Sequence, residues 1–396
     1  MLNEKMHALV SGGSPIRDIA DYAEARAAVI GEDNVFNFSI GNPYTPAPKE
    51  VNETLIDLLE HTGSVTLHSY TPDQGLMSTR SAAAKVESER AGYDIPGDCV
   101  YMTAGASASL AIVLAALTRP GEKVAVLAPF FTEYRVFIEN AGAEVVVIPP
   151  AGVDMQPEMS AFKKAVEDGL AAVIINSPNN PSGAILSEET LAAMADILRE
   201  AEKKQGKTIY LIADEPYREL VYTDAKVPFV PNIYNNTVVC YSYSKSLSLP
   251  GERLGYIMVP PCVDDSKTVY ATVCGAGRSL GYVCAPSLMQ RMLVRCANLK
   301  PDLSGYKKNR DTLYNALTAM GFECVKPDGA FYLFLKAPKG DSAAEFCAKA
   351  KKYEILLVGS DPFGVPGYAR LAYCVSEKTV NNSLPAFKKL AEEYGL

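Results

Sequence analysis

Short apolar runs, four to six residues long, recur through the middle of the chain at 124–128, 144–148, 171–176, 209–213, 238–241 and 256–259. Longer stretches with helical spacing separate most of them. Between 188 and 203, Leu191, Met194, Ala195 and Leu198 recur every three or four positions behind Ser187, which predicts an amphipathic helix with a serine N-cap. The segment 108–117 is apolar all round, so its helix is expected to be buried. It opens at Gly105-Ala106-Ser107 and stops at Arg119-Pro120-Gly121. Strands apolar on both faces, alternating with helices, predict an α/β fold: a mostly parallel sheet flanked by helices.

The pattern differs on either side of this block. Ser14-Pro15 reads as an N-cap and first helical residue of a helix to about 30, with Ile16, Ile19, Ala23 and Ala27 on one side. A short extended segment, 37–40, runs into Gly41-Asn42-Pro43, where the backbone can approach a ligand closely. Helices are expected at 51–60 and 76–91, with a loop at 69–75 between them. After about 293 come a helix at 306–320, strands at 330–335, 355–358 and 369–373, and a terminal helix at 378–394. A chain of 396 residues exceeds what one core usually holds. The expected division is a large α/β domain, 46–293, and a smaller α+β domain made of 1–45 and 294–396.

Composition narrows the function classes. The chain is 48% hydrophobic and 21% charged, with a net charge of −8 and no Lys/Arg block, so neither nucleic acid nor an anionic membrane surface is an expected partner. Nine cysteines without a CxxC pair suit buried thiols in a reducing cytoplasm better than disulfides or zinc. The three histidines His7, His61 and His68 do not make a metal centre. No run approaches membrane-spanning length, and the first residues lack the apolar core of a signal peptide.

The chemistry collects at three strand ends. The run 171–176 leads into Ser177-Pro178-Asn179-Asn180-Pro181-Ser182-Gly183, 209–213 into Asp214-Glu215-Pro216-Tyr217, and 238–241 into Ser242-Tyr243-Ser244-Lys245. Asn180 precedes Asp214 by 34 residues and Asp214 precedes Lys245 by 31, about one strand–helix unit each. All three should therefore meet at the carboxyl edge of one sheet, where open α/β folds bind ligands. Lys245 sits among serines, with Arg253 eight residues on. A second cation favours a neutral, nucleophilic amine, and hydroxyls with a guanidinium suit a phosphate dianion. The set describes a lysine that forms a Schiff base with a phosphorylated aldehyde; the plainer alternative is a solvated loop lysine. Asp214 could equally be a strand-end cap, and Tyr217 a packed ring.

The motif S-x-S-K-x-x-x-x-P-G-x-R-x-G at 242–255, with NNPSG and DEPY at these distances, resembles the fold-type I pyridoxal-phosphate enzymes. The resemblance is to the class I/II aminotransferases of the aspartate aminotransferase family, spans nearly the whole chain, and implies a mostly parallel seven-stranded sheet flanked by helices in the large domain. It implies that Lys245 carries pyridoxal 5'-phosphate as a Schiff base, that Asp214 pairs with the protonated ring nitrogen, and that Tyr217 and Asn180 reach the ring oxygen. It also implies that Gly105, Ala106, Ser107, Ser242, Ser244 and Arg253 hold the phosphate and that Phe131 stacks on the ring. Arg370 would clamp the substrate carboxylate, with Asn180 and the backbone of Gly41 beside it. Tyr70 matches a tyrosine that reaches the neighbouring subunit's phosphate, which implies a homodimer with shared sites. The implied activity is ping-pong transfer of an amino group between small amino acids and 2-oxo acids, with Lys245 as general base. Aspartate, aromatic amino acids, alanine and kynurenine stay open as substrates. Ser107 stands where some members place a lysine for a side-chain carboxylate. Arg278, eight residues before Pro286, lies near where others send an arginine across the dimer, and a surface arginine is the alternative. A carbon–sulfur β-lyase or a non-catalytic effector-binding domain could use the same cage.

Overall fold

The structure is a computed structural model that describes residues 2–11 and 15–396. Its largest sheet has seven strands: β1 (Val100–Thr103), β2 (Lys123–Leu127), β3 (Glu144–Ile148), β4 (Ala172–Asn176), β5 (Tyr210–Asp214), β6 (Thr237–Ser242) and β7 (Gly255–Met258). Their order in space is β1-β7-β6-β5-β4-β2-β3. Strands β2 to β6 pair in parallel, and β7 runs antiparallel to both β1 and β6.

Alternation along each strand explains why the sequence runs are apolar throughout. Val124, Val126, Ile174, Ile212, Val238 and Cys240 pack into one hydrophobic cluster, with Leu110, Val113 and Leu114 of the helix Ala106–Leu117. Ala125, Val173, Ile175, Leu211, Ala213 and Val239 pack into another, with Leu191, Met194 and Leu198 of the helix Glu188–Gln205. Period-two geometry thus sends each strand's residues to two buried faces. Ser187 caps the second helix, its Oγ accepting from the Thr190 amide. Only β3, at an edge, keeps exposed positions, at Glu144 and Val147.

A four-stranded antiparallel sheet, in the order Cys324–Val325, Tyr332–Lys336, Tyr368–Ala372 and Val358–Gly359, packs with the helices Ser304–Ala319, Ala343–Lys351 and Glu377–Tyr394. The N-terminal segment joins it: Phe36–Asn37 pairs in parallel with Ile355–Leu356.

Several elements depart from expectation. The single strand predicted at 355–358 is two, because 355–356 pairs with the N-terminal segment while Val358 pairs with Arg370. The strand expected from 330 begins at Tyr332, since Ala330 has a φ of 55° and cannot extend a strand. Strand β1 was not among the predicted runs. The helix expected behind Ser14 spans Pro15–Ile30, and both the Ser14 cap and the Ile16 side chain lie outside the described residues. No helix among the described residues is long and apolar enough to cross a membrane, and no cluster there could hold a metal ion.

Candidate active site

The ends of β4, β5 and β6 open into one cavity of about 280 Å³. Its lining includes Asn180, Asp214, Tyr217, Ser242, Ser244 and Lys245, and the small sheet closes it with Tyr332 and Arg370. The 34- and 31-residue phase therefore does bring the three strand ends together. Asn176, the last residue of β4, ties two of them. Its Nδ2 donates to the Asp214 carbonyl at 2.9 Å, and its Oδ1 accepts from the Asn180 amide at 2.8 Å.

Lys245 sits in the short helix Tyr243–Ser246, which Ser242 caps through the Ser244 amide. Its Nζ donates to the Gly41 carbonyl at 2.8 Å. Burial, together with Arg253 and Arg370, lowers its pKa to about 8, against a smaller opposing effect of Cys374. An amine so placed is still mostly protonated at neutral pH but holds a far larger neutral fraction than an ordinary lysine, and that fraction can act as nucleophile and base.

Asp214 ends β5 and is buried. Its Oδ2 accepts a 2.5 Å hydrogen bond from the Tyr134 hydroxyl, while Oδ1 is buried without a partner. Burial raises its pKa to about 7; the Tyr134 hydrogen bond works against that and Glu215 adds to it. A carboxylate with one oxygen held and one unsatisfied calls for a cationic donor, which would pull its pKa back down. Tyr217 meets the Tyr332 hydroxyl at 3.0 Å, and its pKa is raised by burial first and Tyr332 second.

At one end of the cavity, Ala106 and Ser107 open the helix Ala106–Leu117, whose free amides favour an anion. Ser242, Ser244 and Arg253 line the same end, with Arg253 Nη1 3.3 Å from Ser244 Oγ. Gly105 has a φ of 88°, and a Cβ there would meet Arg253 Nη2 at 2.7 Å, so the glycine makes room for the guanidinium. Phe131 flanks the middle of the cavity, edge-on to Tyr134 with ring centroids 5.7 Å apart. Opposite, Arg370 donates from Nη1 to Asn180 Oδ1 at 3.0 Å and from Nη2 to the Ser39 carbonyl at 2.6 Å, and its buried Nε has no partner. Gly41 lies against Tyr332: an added Cβ would stand 2.1 Å from the phenol oxygen.

These features together fit a planar, phosphorylated aromatic aldehyde with a cationic ring nitrogen, beside a substrate carboxylate. Two of the expected residues are not brought there by this chain's own fold. Tyr70 is 90% exposed and outside the lining, and Arg278 is exposed near the end of the helix Ser266–Ser279. Four residues not singled out for the site belong to it: Ser39, Tyr134, Asn176 and Tyr332. A polar last residue in an otherwise apolar run could have marked Asn176. The others reach the site only through long-range folding.

The family model for aminotransferase class I and II matches residues 33–387. An aspartate aminotransferase from Thermotoga maritima is 30% identical over 91% of this chain and 93% of its own length. An aromatic-amino-acid aminotransferase from Thermococcus litoralis is 25% identical, covering 96% of each chain. A crystal structure of an amino transferase from Eubacterium rectale is 49% identical, covers all of both chains and superposes with a TM-score of 0.97.

Proposed function

The chain belongs to the aminotransferase class I and II family, and from that premise we propose that it binds pyridoxal 5'-phosphate in this cavity and uses Lys245 to exchange amino groups between an amino acid and a 2-oxo acid. The observation that carries the reading is the unpartnered Oδ1 of Asp214 in the cavity that also holds Lys245, a hydroxyl-and-guanidinium anion pocket, and an arginine with a free Nε. When bound, the cofactor supplies an electron sink that makes a carbanion at the substrate's α-carbon accessible. The remaining chemistry belongs to the chain.

Lys245 would hold the cofactor's aldehyde carbon through Nζ, and its amine would serve as the general base that carries the substrate's α-proton. Asp214 Oδ1 would pair with the protonated ring nitrogen, and Tyr217 with Asn180 would hydrogen-bond the ring oxygen. Gly105, Ala106, Ser107, Ser242, Ser244 and Arg253 hold the phosphate, and Phe131 stacks on the ring, worth about 0.5–1.5 kcal/mol beyond burial. Arg370 binds the α-carboxylate through a planar fork, with Asn180 and the Gly41 backbone alongside.

Tyr70 and Arg278 complete the proposal from a second copy of the chain, Tyr70 at the phosphate and Arg278 at the substrate side chain. That reading makes the active unit a homodimer in the cytoplasm. The nine free cysteines suit such a compartment. The relatives named above favour aspartate or an aromatic amino acid as amino donor. The same reading takes the chain as a large domain, 46–293, and a small one made of 1–45 and 294–396, with the cavity between them.

Rapid mixing of the cofactor-loaded protein with a panel of amino acids, followed by cofactor absorbance, tests the reading. Conversion to the aminated cofactor by aspartate or aromatic donors, reversed by a 2-oxo acid, is expected. Release of pyruvate and ammonia from a sulfur amino acid without any acceptor would instead mark a β-lyase.

A further inference from the structure

The turn 214–219 after β5 has two faces. Asp214, Pro216 and Tyr217 line the cavity, whereas Glu215, Arg218 and Glu219 enter a buried ion cluster. Arg218 is the hub of that cluster. Its Nη1 pairs with Glu87 at 2.5 Å and with Glu215 at 3.1 Å, and its Nε pairs with Glu219 at 2.9 Å. Its Nη2 donates to the Tyr256 hydroxyl at 2.9 Å, and its guanidinium lies 3.7 Å over the Tyr241 ring. Arg90 adds a second cation, 2.8 Å from Glu215 and 3.1 Å from Glu87.

Three carboxylates thus share two guanidinium groups, and Glu215 Oε1, Glu219 Oε2 and Arg90 Nη2 are buried without partners. Such a cluster is a poor source of stability, because desolvating the charges offsets most of their attraction. Its location is the informative part. The Tyr241 hydroxyl lies 2.8 Å from Glu219 Oε1 and 2.7 Å from Ser246 Oγ, and Ser246 directly follows Lys245. The rings of Tyr243 and Tyr256 pack on Tyr241 with centroids 5.0 Å away in each case. One arginine therefore contacts, on the side away from the cavity, both segments that carry the reactive groups: the turn 214–219 through Glu215 and Glu219, and the strand leading to Lys245 through the Tyr241 ring.

We infer that Arg218 is a positioning residue for the active site: through Glu215 and Glu219 it sets the turn presenting Asp214 and Tyr217, and through Tyr241 and Ser246 it sets the helical turn presenting Lys245. The inference rests on the proposed roles of those three residues. A misplacement of about 1 Å at such groups is enough to slow a reaction about 100-fold.

The test compares Arg218→Met, Arg218→Lys and Tyr241→Phe with the parent protein. The Tyr241 variant deletes only the bridging hydroxyl, so it keeps the test decisive if Arg218→Met does not fold. Without cofactor, the rate of Lys245 acetylation by acetic anhydride against pH, read by mass spectrometry, gives the amine's titration midpoint. In the parent that midpoint should fall near 8, where burial places the amine, and in the variants it should move up by about one unit as the lysine turn loosens. With cofactor, kcat should fall about 10- to 100-fold in Arg218→Met while KM for the amino acid changes little, and Arg218→Lys should recover part of the loss. A merely structural arginine would lower the melting temperature and leave the midpoint and kcat at parent values; that outcome in Arg218→Lys and Tyr241→Phe overturns the inference. If the parent itself fails to transaminate, the proposed function falls, and the acetylation midpoint still decides the role of Arg218.

Discussion

The Tyr134 hydroxyl donates a 2.5 Å hydrogen bond to Oδ2 of Asp214 and leaves Oδ1 as the carboxylate's only free oxygen. The phenol opposes burial, which alone would push the Asp214 pKa still higher than about 7. Tyr134→Phe should therefore raise that pKa and weaken pyridoxal 5'-phosphate binding near neutrality. A hydrogen bond to a charged group is worth about 1.5–3 kcal/mol, so the dissociation constant should rise about 10- to 100-fold. Titration of the cofactor-free protein between pH 6 and 9 checks it, with the loss shrinking at the alkaline end.

The cofactor-free protein should have a stability minimum, from these two groups, near pH 7–8. The Asp214 carboxyl has a folded pKa of about 7 against an ordinary 3.8, so the native state binds the extra proton between those values and stability falls as pH rises through them. The Lys245 amine has a folded pKa of about 8 against 10.5, so the unfolded state binds the extra proton and stability rises with pH across that window. Between the two, both buried groups are charged. Asp214→Asn should stabilise the cofactor-free protein at pH 7.5 relative to pH 5 by an amount on the order of 2.5 kcal/mol, the part of the shift that falls between those two pH values. Urea unfolding of the variant and parent at the two pH values measures it.

Lys245→Ala should lower turnover by at least about 10²–10⁴, the usual worth of a general base, while cofactor still binds through the phosphate and Asp214 contacts. Single-turnover kinetics alongside equilibrium dialysis separate the two effects. Full activity would reject the assignment.

Arg370 lines the cavity and is held there by Asn180 and the Ser39 carbonyl. Lysine cannot reproduce that fork. Arg370→Lys should reduce kcat/KM for α-amino acids about 10- to 100-fold, as expected for losing a charge-assisted hydrogen bond. A simple amine without a carboxylate should react equally with both proteins.

Gly41→Ala would drive a methyl group into the Tyr332 hydroxyl, 2.1 Å from the ideal Cβ. Overpacking of this kind costs about 1–3 kcal/mol. It should also disturb the Gly41 carbonyl that accepts from Lys245. Because Tyr332→Phe removes the nearest clashing atom, the double variant should be more stable than the sum of the single effects, measurable as a double-mutant cycle in urea.

The amino-acid sequence by itself determined the layered α/β architecture, because continuous apolar runs have only one economical burial, between two sheets of helices. It also determined that Asn180, Asp214 and Lys245 share an edge, because one strand–helix unit returns the chain to the same end of a parallel sheet. What the tertiary structure alone decided are contacts between residues far apart in the chain: Tyr134 on Asp214 across 80 positions, Tyr332 on Tyr217 across 115, and the split of 355–358 between two partners. No local pattern encodes such pairs, since each side chain's spacing satisfies its own helix or strand whichever distant group it meets. The same holds for Arg218, a polar residue in a turn until the fold encloses it among three carboxylates and a tyrosine ring.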